Sequence, residues 1–181
     1  VSNKTLQQLR GMEGIHIRKA YELSAKMAGI QWKKRSYKQD DWDASDPVNQ
    51  ALSEGNALLY GICHAAIISL GYSAGLGFIH TGKQLSFVYD IADLYKAETT
   101  IPAAFEVAKK GEDLTRETRI CCRKYFARIH LLERIARDIA WILQGDAEDQ
   151  QDNAIKIGEL WEQDGKTISG GKNYAEQGIE E

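Results

Sequence analysis

The sequence predicts an all-α fold of several helices, followed by a short irregular or hairpin-like C-terminal tail, and three observations carry that expectation. Only two prolines, Pro47 and Pro102, interrupt 181 residues. Long segments repeat apolar residues at three- and four-residue spacing rather than alternating. Capping residues and glycines fall where those segments begin and end.

The first helix is expected over about 4 to 26, with Leu6, Leu9, Ile17, Tyr21 and Leu23 among its apolar positions and Gly29 as a stop. A polar stretch punctuated by aromatics, QWKKRSYKQDDWDASD, separates it from the second. There Asp46 can cap the free N–H groups and Pro47 fills the first helical position. This helix should run to Leu70 and stop at Gly71; its second half is apolar on nearly every face, which predicts a central helix covered on several sides. The glycine-rich loop GYSAGLGFIHTGK then leads to a third helix from about Ser86, whose hydroxyl is the expected cap. Pro102 marks a break or new start within the helical stretch that ends near Lys110. One last long helix is expected from Asp113 or Thr115 to Gly145, presenting Arg116, Arg119, Arg123, Lys124, Arg128, Arg134 and Arg137. In the tail, LWEQDGKTISGGKNYA holds the tight-turn pair Asp164-Gly165 between short segments of strand character, so a small hairpin or an extended arm is expected.

At 43% hydrophobic and 27% charged, the chain has ordinary globular composition, with one domain expected over 1–145 and an acidic tail over 146–181. No apolar run approaches the roughly 20 residues of a membrane span and no signal-peptide pattern opens the chain, so a soluble, cytoplasmic protein with no membrane partner is expected. Because it begins at Val1, we expect a fragment, a processed product or one domain of a longer protein. Cys63, Cys121 and Cys122 make no disulfide framework and read as buried thiols. Charge is unevenly spread: the tail holds ten acids against three lysines, which leaves the body with a net of +4 and keeps a nucleic-acid partner open.

The chemistry concentrates in GFIHTGKQLSFVYDIADLYK. Asp90 and Asp93, three apart on a helix, share a face about one turn apart, and His80 lies in the loop before it. One histidine with two or three carboxylates suits Mg²⁺ or Mn²⁺, whereas zinc gathers more histidines or cysteines. Spacing alone more often describes a solvated helix face with a loop histidine. Glu13, in RGMEG, is either a ligand or an exposed acid beside glycines, Gly11 and Gly14, that allow a close approach. His16, His64 and His130 show no acidic partner at useful spacing and read as structural.

RGMEG, LLYG and above all GFIHTGKQLSFVYDIADLYK resemble the C-terminal catalytic domain of the CRISPR spacer-acquisition integrase family, Cas one, in its type I-E subtype. The resemblance covers about residues 5 to 145. It implies a divalent-metal site (Mg²⁺ or Mn²⁺) with Glu13, His80 and Asp93 as ligands and Asp90 as ligand or organiser, all four being catalytic. It implies transesterification, in which the 3′-hydroxyl of a captured DNA fragment attacks a phosphodiester of the CRISPR repeat, and cutting of branched DNA. It also implies double-stranded and branched DNA, Cas two and a homodimer as partners, and an N-terminal β-rich domain that these residues do not contain. Arg10 and Lys83 are placed to reach phosphates, or else are ordinary surface charges. Tyr37, Trp42, Tyr60 and Tyr89 stand where the family carries aromatics; Tyr60 and Tyr89 can instead be core residues. WKKRSYKQDDW suits base stacking and phosphate contact, or a solvated loop pinned by its aromatics. The tail matches no catalytic motif and is expected to meet another subunit or Cas two.

The alternative is a non-catalytic helical DNA-binding or scaffold domain. A helical metal-binding enzyme unrelated to nucleic acid is a third reading, which leaves the basic pattern unused.

Overall fold

A computed structural model describes residues 5–35, 46–111, 113–144, 160–161 and 167–168. Two compact units divide the chain, residues 1–143 and 144–181, and each is described by itself.

Helix α1 (Leu6–Ala28) opens on a capping box, in which the Thr5 hydroxyl accepts from the Gln8 N–H and the Gln8 amide oxygen accepts from the Thr5 N–H. It ends at Gly29, whose φ of 71° closes the last turn in the left-handed region. Ile17, Tyr21 and Ala25 pack inward, while Leu23 faces out; the side chains of Leu6 and Leu9 lie outside the described residues.

Helix α2 (Pro47–Ser69) starts as its sequence predicts, the Asp46 carboxylate accepting the Asn49 N–H at 3.0 Å with Pro47 in the first turn. It is the central helix, packed against α3 (Ser86–Lys96), α4 (Thr100–Lys110) and α5 (Leu114–Arg128). Buried positions recur along it from Val48 to Ile67. Gly55 permits a close approach of α4 and α5 to this helix: a methyl there would stand 3.1 Å from Cys122 Sγ and 3.4 Å from Thr100 Cβ. The chain breaks at Thr99, and Pro102 sits in the first turn of α4, where its missing N–H costs nothing.

Two expectations are corrected. The last long helix is two, α5 and α6 (Leu131–Gln144), broken at Ile129 and His130. His130 has a φ of 49°, and this left-handed residue re-aims the chain so that Leu131, Ile135 and Ile139 enter the main core. Burying those three side chains outweighs the roughly 1–2 kcal/mol of a left-handed non-glycine residue. The cap of α3 is also different: Leu85 holds the N-cap position without a side-chain bond, and the Ser86 hydroxyl instead reaches back to the Lys83 carbonyl at 2.9 Å.

Cys63, Cys121 and Cys122 are buried free thiols in the core, and burial first of all pushes the Cys63 and Cys122 thiols up to about 12. In the second unit, β1 (Leu160–Trp161) pairs antiparallel with β2 (Thr167–Ile168), Leu160 opposite Ile168. The Asp164-Gly165 turn lies outside the described residues. Among the described residues no helix is long and apolar enough to cross a membrane.

Candidate functional site

The loop before α3 folds around one carboxylate. Asp90, its side chain 7% exposed, accepts from the backbone N–H groups of Phe78, Ile79 (3.0 Å) and His80 (2.8 Å), and from the His80 ring at Nδ1 (2.7 Å). A carboxylate with four such bonds on it has little left to offer a metal. Asp90 is therefore the organiser: it builds the loop and orients the imidazole. With the proton on Nδ1, Nε2 is left as the ligating atom.

Gly77 is the condition for that loop. A Cβ there would overlap the His80 carbonyl oxygen and stand 2.7 Å from Ser86 Cβ, so the expected closeness to a ligand is closeness to the loop's own backbone.

His80 Nε2 points toward Asp93, 3.9 Å from Oδ2. Glu13 arrives from α1, and its carboxyl comes close enough to Asp93 for the two to interact. Burial first, then the interaction with Asp93, raise the Glu13 pKa above its ordinary 4.5, while His80 and Lys96 pull the other way. Two neighbouring carboxyls repel one another as anions, so the site favours a cation between them. The donor set, two carboxylates and one imidazole nitrogen, fits Mg²⁺ or Mn²⁺, the nitrogen favouring manganese. As placed, no three His, Cys, Asp or Glu side chains among the described residues converge tightly enough to hold an ion.

Sequence reasoning missed Lys96. Its ammonium sits on Asp93 Oδ1 and lies 4.9 Å from the Tyr60 ring centroid. Burial opposes its charge, but Asp93 and then Tyr60 outweigh burial and hold its pKa above the usual lysine range. The signal was available: Asp93 and Lys96 are a helical (i, i+3) pair of opposite charge.

Tyr60 and Tyr89 meet edge to face at 5.1 Å, and Tyr89 lies 5.9 Å from the His80 ring, so both half-buried tyrosines line the site. Lys83 stands beside them, 6.0 Å over Tyr89. Arg10 is not a spare surface charge: Nη2 donates to the Ile79 carbonyl at 2.5 Å and ties α1 to the loop. A methyl at Gly11 or Gly14 would touch nothing among the described residues, so no backbone packs against them there.

Other basic features are less available than their sequence suggests. Trp32 packs against Tyr21 (4.6 Å) and Phe105 (5.5 Å), which makes it an anchor for its segment rather than a stacking surface. Arg35 bonds Asn49 and Ser53. Tyr37 and Trp42 lie outside the described residues. On α5 and α6, Arg119 pairs with Glu54 (2.6 Å), Arg116 with Glu117 (2.8 Å) and Arg134 with Glu98 (2.7 Å), the pattern of a solvated, ion-paired face. His16 and His64 are exposed; His130, contrary to expectation, has an acidic neighbour, Glu133 at 3.5 Å.

Comparison with known proteins bears on this site. Residues 2–122 match the family model of CRISPR associated protein Cas1. CRISPR-associated endonuclease Cas1 2 of Thermus thermophilus is 47% identical over 176 residues, 94% of this chain and 54% of that protein. CRISPR-associated endonuclease Cas1 of Escherichia coli is 45% identical over 126 residues, 69% of this chain and 41% of its own. A crystal structure of a TtCas1–DNA complex superposes with a TM-score of 0.74 at 50% identity, covering 80% of this chain and 55% of that one. The chain spans about half the length of the curated relatives it matches.

Proposed function

Because the chain belongs to the Cas1 family, we propose that it is the C-terminal catalytic domain of a metal-dependent DNA integrase and endonuclease of CRISPR spacer acquisition, in the type I-E subtype. One observation carries this reading: His80 Nε2 stands 3.9 Å from Asp93 Oδ2, Glu13 of α1 interacts with the same Asp93 carboxylate, and Asp90 orients the imidazole. The relatives' names as CRISPR-associated endonucleases, and a solved relative in complex with DNA, support it.

In the proposed reaction the 3′-hydroxyl of a captured fragment attacks a repeat phosphodiester. A new P–O bond forms, the old one breaks, and the proton of the attacking hydroxyl ends on the departing 3′ oxygen. Glu13, His80 and Asp93 would hold the ion, Mg²⁺ or Mn²⁺, which supplies polarisation of the phosphoryl oxygen and stabilisation of developing charge. Asp90 keeps Nε2 of His80 aimed inward. Lys83 and Arg10 flank the site for phosphate contact, Arg10 while holding α1 to the loop. Tyr60 and Tyr89 wall the site, and Tyr37 and Trp42 are assigned to DNA. The same site with water as nucleophile cuts branched DNA.

Residues 1–145 are the catalytic region in this proposal, and 146–181 a contact with another subunit or with Cas two. The protein acts in the cytoplasm, as a homodimer when full length. The competing reading is a scaffold domain that binds DNA and retains these residues without catalysis.

The deciding experiment is strand joining and branched-DNA cleavage with Mn²⁺ or Mg²⁺ by the chain, its Asp93→Ala variant, and a full-length protein supplied with Cas two. Metal-dependent activity lost in the variant is expected. No activity in any assembly, with DNA binding intact, would establish the scaffold.

A further inference from the structure

The lysine that sequence reasoning missed has a consequence for the ion. Asp93 divides its carboxylate between two demands: Oδ1 receives the Lys96 ammonium, and Oδ2 faces His80 Nε2 at 3.9 Å. The Lys96 and Asp93 side chains are only 17% and 14% exposed, so water screens the pair poorly. Lys96 has a second seat close by, since its Nζ is 4.9 Å from the centroid of Tyr60. Glu13, Asp90 and Asp93 bring three carboxyls into one neighbourhood, and Lys96 is the cation bonded to Asp93.

We infer that Lys96 is the resident counter-cation of the metal-free site and competes with the divalent ion for Asp93, so that it weakens metal binding while stabilising the empty site. This rests on the metal-site reading above. An ammonium on one carboxylate oxygen repels an ion drawn to the other. Binding at Oδ2 is therefore opposed while Lys96 stays on Oδ1, and the Tyr60 ring face lets the lysine move off without losing all its stabilisation. A lysine with a purely structural role would act in the opposite sense, since its loss would loosen the site and weaken the metal.

The test is calorimetric titration with Mn²⁺ alone, without DNA, for the 181-residue chain and its Lys96→Met, Lys96→Gln, Lys96→Arg and Asp93→Ala variants, with thermal melts in the presence and absence of Mn²⁺. Expected are Lys96→Met and Lys96→Gln binding Mn²⁺ about tenfold or more tightly than the unaltered chain, since removing a like charge at this range favours the ion strongly. Both should melt lower without metal and recover with Mn²⁺, and Lys96→Arg should leave the affinity close to its original value. Unchanged or weaker Mn²⁺ binding in both neutral variants, or failure of both to fold even with Mn²⁺, overturns the role of Lys96. If that happens while Asp93→Ala abolishes binding, the metal site stands and only the competition falls. Mn²⁺ binding that is absent, or indifferent to Asp93→Ala, overturns both.

Discussion

The two halves of the candidate site are built by opposite means. The His80 half is dense and local: one buried carboxylate, Asp90, fastens three consecutive backbone N–H groups and an imidazole. The Glu13 half comes from a helix whose nearby surface is exposed at Met12 and Ile15, and Arg10 ties it to the loop by one exposed hydrogen bond. The difference teaches that the orientation of His80 is fixed by bonds local to its loop, while the position of Glu13 depends on how α1 is held against that loop.

The comparison breaks first at Asp90. Asp90→Ala leaves three N–H groups without their acceptor, and an expected loss of about 3–5 kcal/mol should appear as a lower melting temperature together with loss of metal binding. Asp90→Asn, which keeps one acceptor oxygen, should fall between. Equal melting of Asp90→Ala and the unaltered chain would show that the loop does not depend on this carboxylate. Next in size, Gly77→Ala forces its new methyl onto the His80 carbonyl and Ser86. About 1–3 kcal/mol of stability should be lost in chemical denaturation, and His80 ring resonances should shift.

On the other half, Arg10→Ala should cost little stability, about 0.5–1.5 kcal/mol. It should nonetheless weaken Mn²⁺ binding several-fold by freeing α1; a melting loss as large as that of Asp90→Ala would erase the contrast between the halves. The smallest effect is the pH dependence of the metal-free chain. Glu13 has a folded pKa raised above 4.5, so the folded state holds the proton more tightly than the unfolded one. Its contribution to stability is present below the ordinary value and is lost as pH rises through the raised one. Melting profiles should therefore show a shallow decline from this group over that interval, and Glu13→Gln should remove it.

Much of this was legible in the sequence. His80 and Asp90 are ten positions apart, close enough for a loop to fold onto the next helix, and the Asp46-Pro47 start, the Gly29 stop and the Pro102 break are local devices that act wherever the helix sits. The central helix declared itself by being apolar all round. The Ser86 cap misled, because a hydroxyl at a helix start can satisfy either the helix or the loop behind it. Trp32 stayed open between two readings, because a tryptophan among lysines looks the same whether it meets a base or a Tyr21–Phe105 cleft.

By itself, then, the chain determined its helices and most of their ends, because capping, periodicity and proline geometry are interactions between near neighbours, and it placed two carboxylates and a histidine within reach of one another. Tertiary structure alone decided that Glu13 comes up against Asp93, that Arg10 clasps the loop, and that the chain turns at His130, where no glycine or proline marks it. Each of these joins segments whose mutual approach is set by which faces bury together, and a turn is made at His130 because the core beyond it stabilises more than the local strain costs.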